Sequence, residues 1–145
     1  MEDIAHITIK PCIGCKRCAF SGLPCSLNRD DNMLAVKGQI LNADMLIFVT
    51  PLYYFGMSAQ LKACLDRCCA ISRQITEKRM KAALIAAAWN DDDWTMDAIG
   101  SHYKTLCRYM DFEDKGMILG IGCGTVEATA GSVFPQMAYQ IAKEL

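Results

Sequence analysis

The sequence predicts an α/β fold: a doubly wound parallel sheet with helices on its faces. Short apolar runs alternate with stretches whose apolar residues recur at helical spacing, in the order β, loop, α, β, α, β, α, β, α. Three runs are continuously apolar, as strands buried on both faces are: MLIFVT at Met45–Thr50, ALIAAA at Ala83–Ala88 and MILGI at Met117–Ile121. No internal repeat or low-complexity segment interrupts the alternation. At 145 residues the chain reads as one domain, 1–145, long enough for a real core.

Each element has its own signal. Ile4–Ile9 is short and rich in β-branched residues, a strand end that stops at Pro11. Asp30 and Asp31 offer an N-cap, after which Met33, Val36, Ile40 and Leu41 recur at helical spacing up to Asn42. Ser58 can cap a helix through Ala70 with Leu61, Leu65 and Cys68 on one face; Cys64, Cys68 and Cys69 then read as small core hydrophobes. Ser72–Arg79 is a polar connection. In the acidic stretch WNDDDW, Asp93 or Thr95 caps a helix whose stripe is Met96, Ile99, Tyr103, Leu106 and Met110. Gly122-Cys123-Gly124 is a weak phosphate motif, because no helix is expected right after it. Ser132 caps the last helix, with Phe134, Met137, Ala138 and Ile141 inward and Pro135 tolerated in its first turns. His6 and His102 are isolated and read as surface or satisfied residues.

Composition narrows the class. With 52% hydrophobic and 21% charged residues and a net charge of −1, neither disorder nor a nucleic-acid-binding surface is expected. The longest apolar runs, Met45–Val49 and Ala82–Trp89, fall far short of the roughly 20 residues that a membrane helix needs. MEDIAHITIK has neither the basic start nor the apolar core of a secretion signal. Nine cysteines make an odd number for a disulfide framework, so a reducing cytoplasm is the expected compartment.

The chemistry concentrates between residues 10 and 29. In KPCIGCKRCAFSGLPC, Cys12, Cys15, Cys18 and Cys25 stand at C-x2-C-x2-C-x6-C. Three thiols in seven residues are too close for pairwise disulfides between separate elements and well placed to converge on one object. Compact runs of this kind hold iron–sulfur clusters. Zinc is the rival, although structural zinc sites usually take two separated C-x2-C pairs. Free thiols are the third possibility.

A second candidate site lies at the carboxyl ends of the strands, where open parallel sheets bind ligands. Pro51, Leu52, Tyr53, Tyr54, Phe55 and Gly56 form an aromatic loop with a glycine that permits close backbone approach to a flat ring. Trp89 and Asn90 head the next loop, and Gly122–Thr125 the third. Aromatic planes beside backbone amides suit a planar heterocycle such as a flavin; rings that merely cover the sheet end are the plainer alternative.

Three stretches carry a resemblance: IKPCIGCKRC, CSLNRDDNM at Cys25–Met33, and above all TPLYYFGMSAQLKACLDR. They resemble the NAD(P)H-dependent flavin reductases of flavodoxin-like fold, in their iron–sulfur flavoprotein branch. The resemblance runs from about Ile4 to the C-terminus, specific in the first half and generic after Lys81. It implies a flavodoxin-like, three-layer sandwich in which Cys12, Cys15, Cys18 and Cys25 bind a [4Fe–4S] cluster. It further implies that the Pro51–Gly56 loop holds the isoalloxazine of FMN, with NAD(P)H as electron donor. The family opens with a strand, a Ser- and Gly-containing phosphate-binding loop and a helix, and no counterpart precedes Ile4.

On that pattern the domain is N-terminally truncated. The missing strand lies between Ile4–Ile9 and Met45–Thr50 and leaves two open strand edges. Three lost charge-assisted hydrogen bonds to the FMN phosphate, roughly 1.5 kcal/mol each, come to about 4.5 kcal/mol. That is over a thousandfold in affinity, at roughly tenfold per 1.4 kcal/mol. An internal Met taken as the start, a strand supplied by another chain, or a relative that has lost flavin would each account for the pattern. A homo-oligomer is expected, because the open edges call for cover.

The leading functional expectation is an FMN-dependent, NAD(P)H-linked oxidoreductase with a [4Fe–4S] relay, exchanging electrons with a small-molecule or protein partner. No general acid or base is visible. The alternatives are a non-catalytic metal- or cluster-binding electron-transfer module and a flavin-less remnant with free thiols. Neither nucleic acid nor membrane is an expected partner.

Overall fold

A computed structural model describes residues 3–143. The chain divides into two compact units, Met1–Ala43 with Ala59–Lys78, and Asp44–Ser58 with Arg79–Leu145. The second holds the sheet. Its strands β1 (Met45–Pro51), β2 (Lys81–Ala87) and β3 (Glu113–Gly120) run parallel in the order β1-β2-β3. The apolar runs form these strands, as the sequence predicts, and the fold class is α/β.

Side chains alternate across the strands, so the register sorts the two faces. Phe48 of β1 pairs with Leu84 of β2, which pairs with Met117 of β3. On this face lies α5 (Asp97–Met110), with Ile99, Tyr103, Cys107 and Met110 buried along it. Gly100 lets α5 approach Leu119 and Met117 closely, and Phe48 meets the ring of Tyr103 edge-on at 6.4 Å. Cys107 stands in the stripe where Leu106 was expected; Leu106 is only half-buried.

The opposite face carries Val49, Ile85 and Ile118 in register. There α7 (Phe134–Lys143) lies over β3, its Phe134 and Ile141 against Gly120 and Gly116. Ile47 and Val49 of β1 remain 48% and 59% exposed. The expectation that β1 is buried on both faces therefore fails on this side, because the covering helix lies over the far strand. Nor is α7 as buried as its stripe implied. Met137 is exposed and Phe134, Ala138 and Ile141 are half-buried.

A β-bulge in β3 sets one extra residue against β2 between Ala82 and Leu84. Gly116, at φ +105°, takes the turn, and its N–H donates to Asp114 Oδ1, which also accepts from the buried Tyr103 hydroxyl at 2.9 Å. Burial, with Cys107 and Asp114 beside it, pushes the Tyr103 hydroxyl far above its ordinary pKa.

The first unit holds α1 (Arg17–Ser21), α2 (Met33–Asn42), α3 (Ala59–Arg67), a 3-10 turn (Cys68–Ile71) and α4 (Ser72–Lys78). Two expectations are corrected here. Ile4–Ile9 is not a strand: Asn32 N–H donates to Thr8 O at 2.9 Å and Thr8 N–H to Asn32 Oδ1 at 3.3 Å, so no strand partner takes these groups. Ser72–Arg79 is not a mere connection either. It forms α4, seated by one fully buried residue, Ile75, and supported by the Arg73–Glu77 pair. Among the described residues, no helix is long and apolar enough to cross a membrane.

Candidate functional site

The aromatic site is built at the carboxyl end of the sheet. Leu52 N–H donates to Ala87 O, Ala88 N–H to Gly120 O, and Cys123 N–H to Ala88 O, each at 2.7 Å. These bonds hold the three strand-end loops at fixed heights. Beyond β1, Tyr53 and Gly56 exchange both backbone hydrogen bonds at 3.0 Å. Tyr54 and Phe55 between them take φ +46° and +64°, a two-residue turn of the kind that asparagine and glycine usually fill. Two bulky residues in the left-handed region store strain, and such strain collects at ligand sites.

Thr50 fixes the base of this loop. Its buried hydroxyl donates to Pro51 O at 2.8 Å and accepts from Ser58 N–H at 2.9 Å, spanning the loop from end to end. Sequence reasoning missed Thr50; a lone hydroxyl closing an apolar strand was the available signal.

Of the expected residues, the structure leaves Tyr53, Tyr54, Phe55 and Trp89 exposed, and adds the exposed Trp94. Phe55 and Trp94 tilt against each other with ring centres 5.1 Å apart. Trp89 is 86% exposed and packs so tightly on Gly124 that a Cβ there would overlap its indole. Gly122, at φ +65°, turns the third loop, and its N–H donates to Asn90 O at 3.0 Å. The Asn90 side chain serves the loop itself. Its amide donates to Thr95 Oγ1 at 2.8 Å and to Asp92, and its carbonyl accepts from Asp91 N–H. Thr95 is thus a buried brace and not the helix cap expected of it. A short helix, α6 (Val126–Ala130), does follow Gly124, capped by Thr125 Oγ1 accepting from Ala128 N–H. The expectation of no helix there is corrected.

So many open aromatic rings at one sheet end form an apolar patch of the sort that marks a binding surface. Exposed aromatic faces of this kind are the groups on which a flat heterocycle can stack.

The cysteine loop is a separate construction, held by one buried cation. Arg67, at the end of α3, donates from Nη1 to Asp31 Oδ2 at 2.6 Å and to Lys10 O at 2.9 Å. Asp31 also accepts from the N–H groups of Lys10 and Met33. Burial alone would raise the Asp31 carboxyl, but Arg67 and the two amides outweigh it and hold the pKa below the ordinary range. This is not the simple helix cap the sequence implied, though Met33 N–H keeps part of that role. Arg67 also meets the Cys25 thiol, while its buried Nε has no partner.

Within the loop, Gly14 and Lys16 take φ +63° and +60°, turning the chain between Cys12, Cys15 and Cys18. The Ser26 hydroxyl, 3.4 Å away, and the N–H of Arg17 lower the pKa of Cys15 and favour its thiolate. Cys12, Cys15, Cys18 and Cys25 are all free thiols. Among the described residues, no three His, Cys, Asp or Glu side chains stand close enough to share a metal ion. The donor chemistry fits a thiolate-bound metal, and binding would have to draw the loop together.

The later cysteines divide. Cys64 and Cys68 are buried, as expected of core residues. Cys69 is exposed, and burial of part of its surface together with the nearby Cys18 and Cys12 thiols raises its pKa. That contradicts its reading as a core hydrophobe.

Residues 3–96 match the family model described as NADPH-dependent FMN reductase. An iron–sulfur flavoprotein of Methanocaldococcus jannaschii is 37% identical over 65 residues, covering 45% of this chain and 32% of its own. An iron–sulfur flavoprotein of Archaeoglobus fulgidus is 26% identical over 127 residues, covering 87% and 60%. The chain thus spans about one third to three fifths of these relatives. Among solved structures, the Trp repressor binding protein from Bacillus subtilis superposes with a TM-score of 0.65 at 23% identity, over 79% of this chain and 71% of that one. The fold is therefore flavodoxin-like, and by the match over its first two thirds the chain belongs to the NADPH-dependent FMN reductase family.

Proposed function

We propose that the chain is a flavin-dependent oxidoreductase: it binds FMN on the aromatic turn, takes reducing equivalents from NAD(P)H, and carries a [4Fe–4S] cluster in its cysteine loop. The observation that carries this reading is the strained turn at Tyr54–Phe55 set among exposed rings at the ends of three parallel strands. Family membership supports the cofactor, and the two relatives named as iron–sulfur flavoproteins support the cluster. When bound, the flavin would supply hydride and electron transfer, and the cluster one-electron transfer.

The residues of this chain do the holding. Tyr53, Tyr54 and Phe55 offer ring faces, Trp89 and Trp94 flank the ligand, and Gly124 gives the Trp89 indole its seat on the third loop. Thr50 keeps the turn from opening. In the other unit, Cys12, Cys15 and Cys18 supply three thiolates, with Cys25 the fourth that the family resemblance implies. Self-association belongs to the same proposal: the exposed face of β1 and its outer edge, which pairs with no strand among the described residues, would lie against a second copy.

The test is an ultraviolet–visible spectrum of anaerobically purified protein, with iron and acid-labile sulfide assayed on the same sample. Flavin bands, or quenching of tryptophan fluorescence on adding FMN, together with broad absorbance near roughly 400 nm from the cluster, are expected. A colourless, iron-free protein that takes up no FMN would overturn the reading.

A further inference from the structure

The first unit holds a second pair of thiols, to which neither flavin nor cluster chemistry gives a task. Cys64 lies in α3, and Cys68, four residues on, opens the 3-10 turn that follows. Residues at this spacing stand one above the other, with Cβ atoms roughly 5–6 Å apart. The Cys68 thiol leans back over that turn and donates to Cys64 O at 3.5 Å. The Cys64 thiol reaches to α2 and meets Met33 Sδ at 3.9 Å. Both thiols are free and buried.

Their surroundings are not those of inert core residues. Lys37, one turn along α2 from Met33, is buried as well, its ammonium donating to Asn28 Oδ1 at 3.1 Å. Arg67, between the two cysteines in the chain, is a second buried cation. The Cys68 thiol, with Arg67 and Lys37, outweighs burial and lowers the pKa of Cys64; the same contact, with burial, raises that of Cys68. One sulfur is readied as a thiolate while the other keeps its proton, as a nucleophilic and a resolving thiol divide their work.

We propose that Cys64 and Cys68 form a redox-active dithiol that closes into a disulfide and, in closing, shifts Arg67. The oxidant is a small hydroperoxide, hydrogen peroxide in the simplest case. The Cys64 sulfur attacks one peroxide oxygen, the O–O bond breaks, and hydroxide leaves to become water. The Cys68 sulfur then attacks the resulting sulfenic acid, the S–O bond breaks, and hydroxide departs with the Cys68 proton as a second water. Two thiols thus lose two electrons and two protons, and the peroxide is reduced to water. A disulfide needs Cβ atoms roughly 3.5–4.5 Å apart, closer than a helical turn sets them, so the backbone from Cys64 to Cys68 must tighten. The chain already passes there from α-helix to the tighter 3-10 winding. Arg67 sits within that turn, and its guanidinium holds Asp31 and Lys10 O at the ends of the cysteine loop. Closing the disulfide therefore loosens that hold, and a strained disulfide is readily reopened by a thiol reductant.

The test uses the chain with the exposed Cys69 replaced, Cys69→Ser, so that no adjacent thiol can stand in for Cys68. The reduced protein meets equimolar hydrogen peroxide, remaining thiols are alkylated in denaturant, and trypsin then cuts after Lys62, Arg67 and Arg73. Mass spectrometry is expected to find residues 63–67 and 68–73 joined by a disulfide in most of the protein and separate after thiol reduction. Adding Cys68→Ser should leave Cys64 carrying oxygen, as sulfenic or sulfinic acid, with no link. In the oxidised chain the Lys10 amide, which donates to Asp31 at 2.9 Å, should exchange its hydrogen about tenfold faster, while the amides of β2 keep their rates. Recovery of Cys64 and Cys68 as alkylated thiols, or of Cys64 joined to a cysteine of the loop, overturns the dithiol. A disulfide that leaves Lys10 exchange unchanged, or that speeds β2 equally, overturns the shift of Arg67.

Discussion

The indole of Trp89 rests on Gly124 with no room for a Cβ between them, which ties the loop after β2 to the loop after β3. Trp89 is otherwise exposed, so the contact fixes the ring's position more than it contributes to the core. Substituting Gly124→Ala is expected to swing the ring outward at a stability cost under about 1 kcal/mol, below the usual 1–3 kcal/mol of overpacking because the clashing group is at the surface. FMN affinity is expected to fall at least several-fold. Tryptophan emission and an FMN titration on the same variant check this; unchanged affinity would separate Trp89 from the flavin site.

Tyr54 is fully exposed, and its φ of +46° belongs to the region that glycine occupies without strain. Replacing Tyr54→Gly should relieve part of the roughly 1–3 kcal/mol that such a backbone costs, and so raise the thermal midpoint. The same change removes a ring from the patch, so FMN binding should weaken. Calorimetry and titration moving in opposite directions are the expected signature, a trade of stability for function.

Arg67 and Asp31 are almost wholly withdrawn from solvent, with side chains 1% and 0% exposed. Asp31→Asn would leave the guanidinium buried beside a neutral partner, a loss of about 3–5 kcal/mol in denaturant unfolding. The pH dependence has a definite sign. Because the folded-state pKa of Asp31 is depressed, its contribution is present above the ordinary carboxylate range, near pH 3.9, and is lost as pH falls through the folded value. Wild type and Asp31→Asn should therefore converge in stability only in strong acid.

The open face of β1 predicts association. Light scattering at micromolar concentration should give a mass above that of one 16.0 kDa chain. Val49→Lys, placed on an exposed strand position, should shift the mass towards one chain without unfolding the protein. A wild-type monomer would remove the basis for the second copy.

Much of the fold was legible because strands and helices declare themselves by local periodicity. Met45–Thr50, Ala83–Ala88 and Met117–Ile121 each lie largely within an observed strand, and the amphipathic spacing of α5 held apart from Cys107 taking the place of Leu106. What escaped depends on distant partners. Ile4–Ile9 has strand composition, but a strand exists only against a neighbour, and Asn32 takes its backbone groups instead. The helix α4 buries a single large apolar residue, Ile75, too little to show a period. The Arg67–Asp31 pair joins residues 36 apart, and no spacing rule reports it. At the aromatic site the residue types were readable, while the left-handed turn at Tyr54–Phe55 was not, since its sequence lacks the usual asparagine or glycine.

Arg67 has one more consequence. By holding Lys10 O and Asp31 together, it closes residues 10–31 into a ring without a covalent link. Joining the ends of a flexible 21-residue span costs about 2.7 kcal/mol by the usual (3/2)RT ln n scaling. The folded chain has already met that cost before any metal arrives, through contacts in which the thiols of Cys12, Cys15 and Cys18 take no part. If the loop takes up a metal as proposed, the ring is tied first and filled afterwards. Its contents can then be gained or lost while the chain on either side keeps its place.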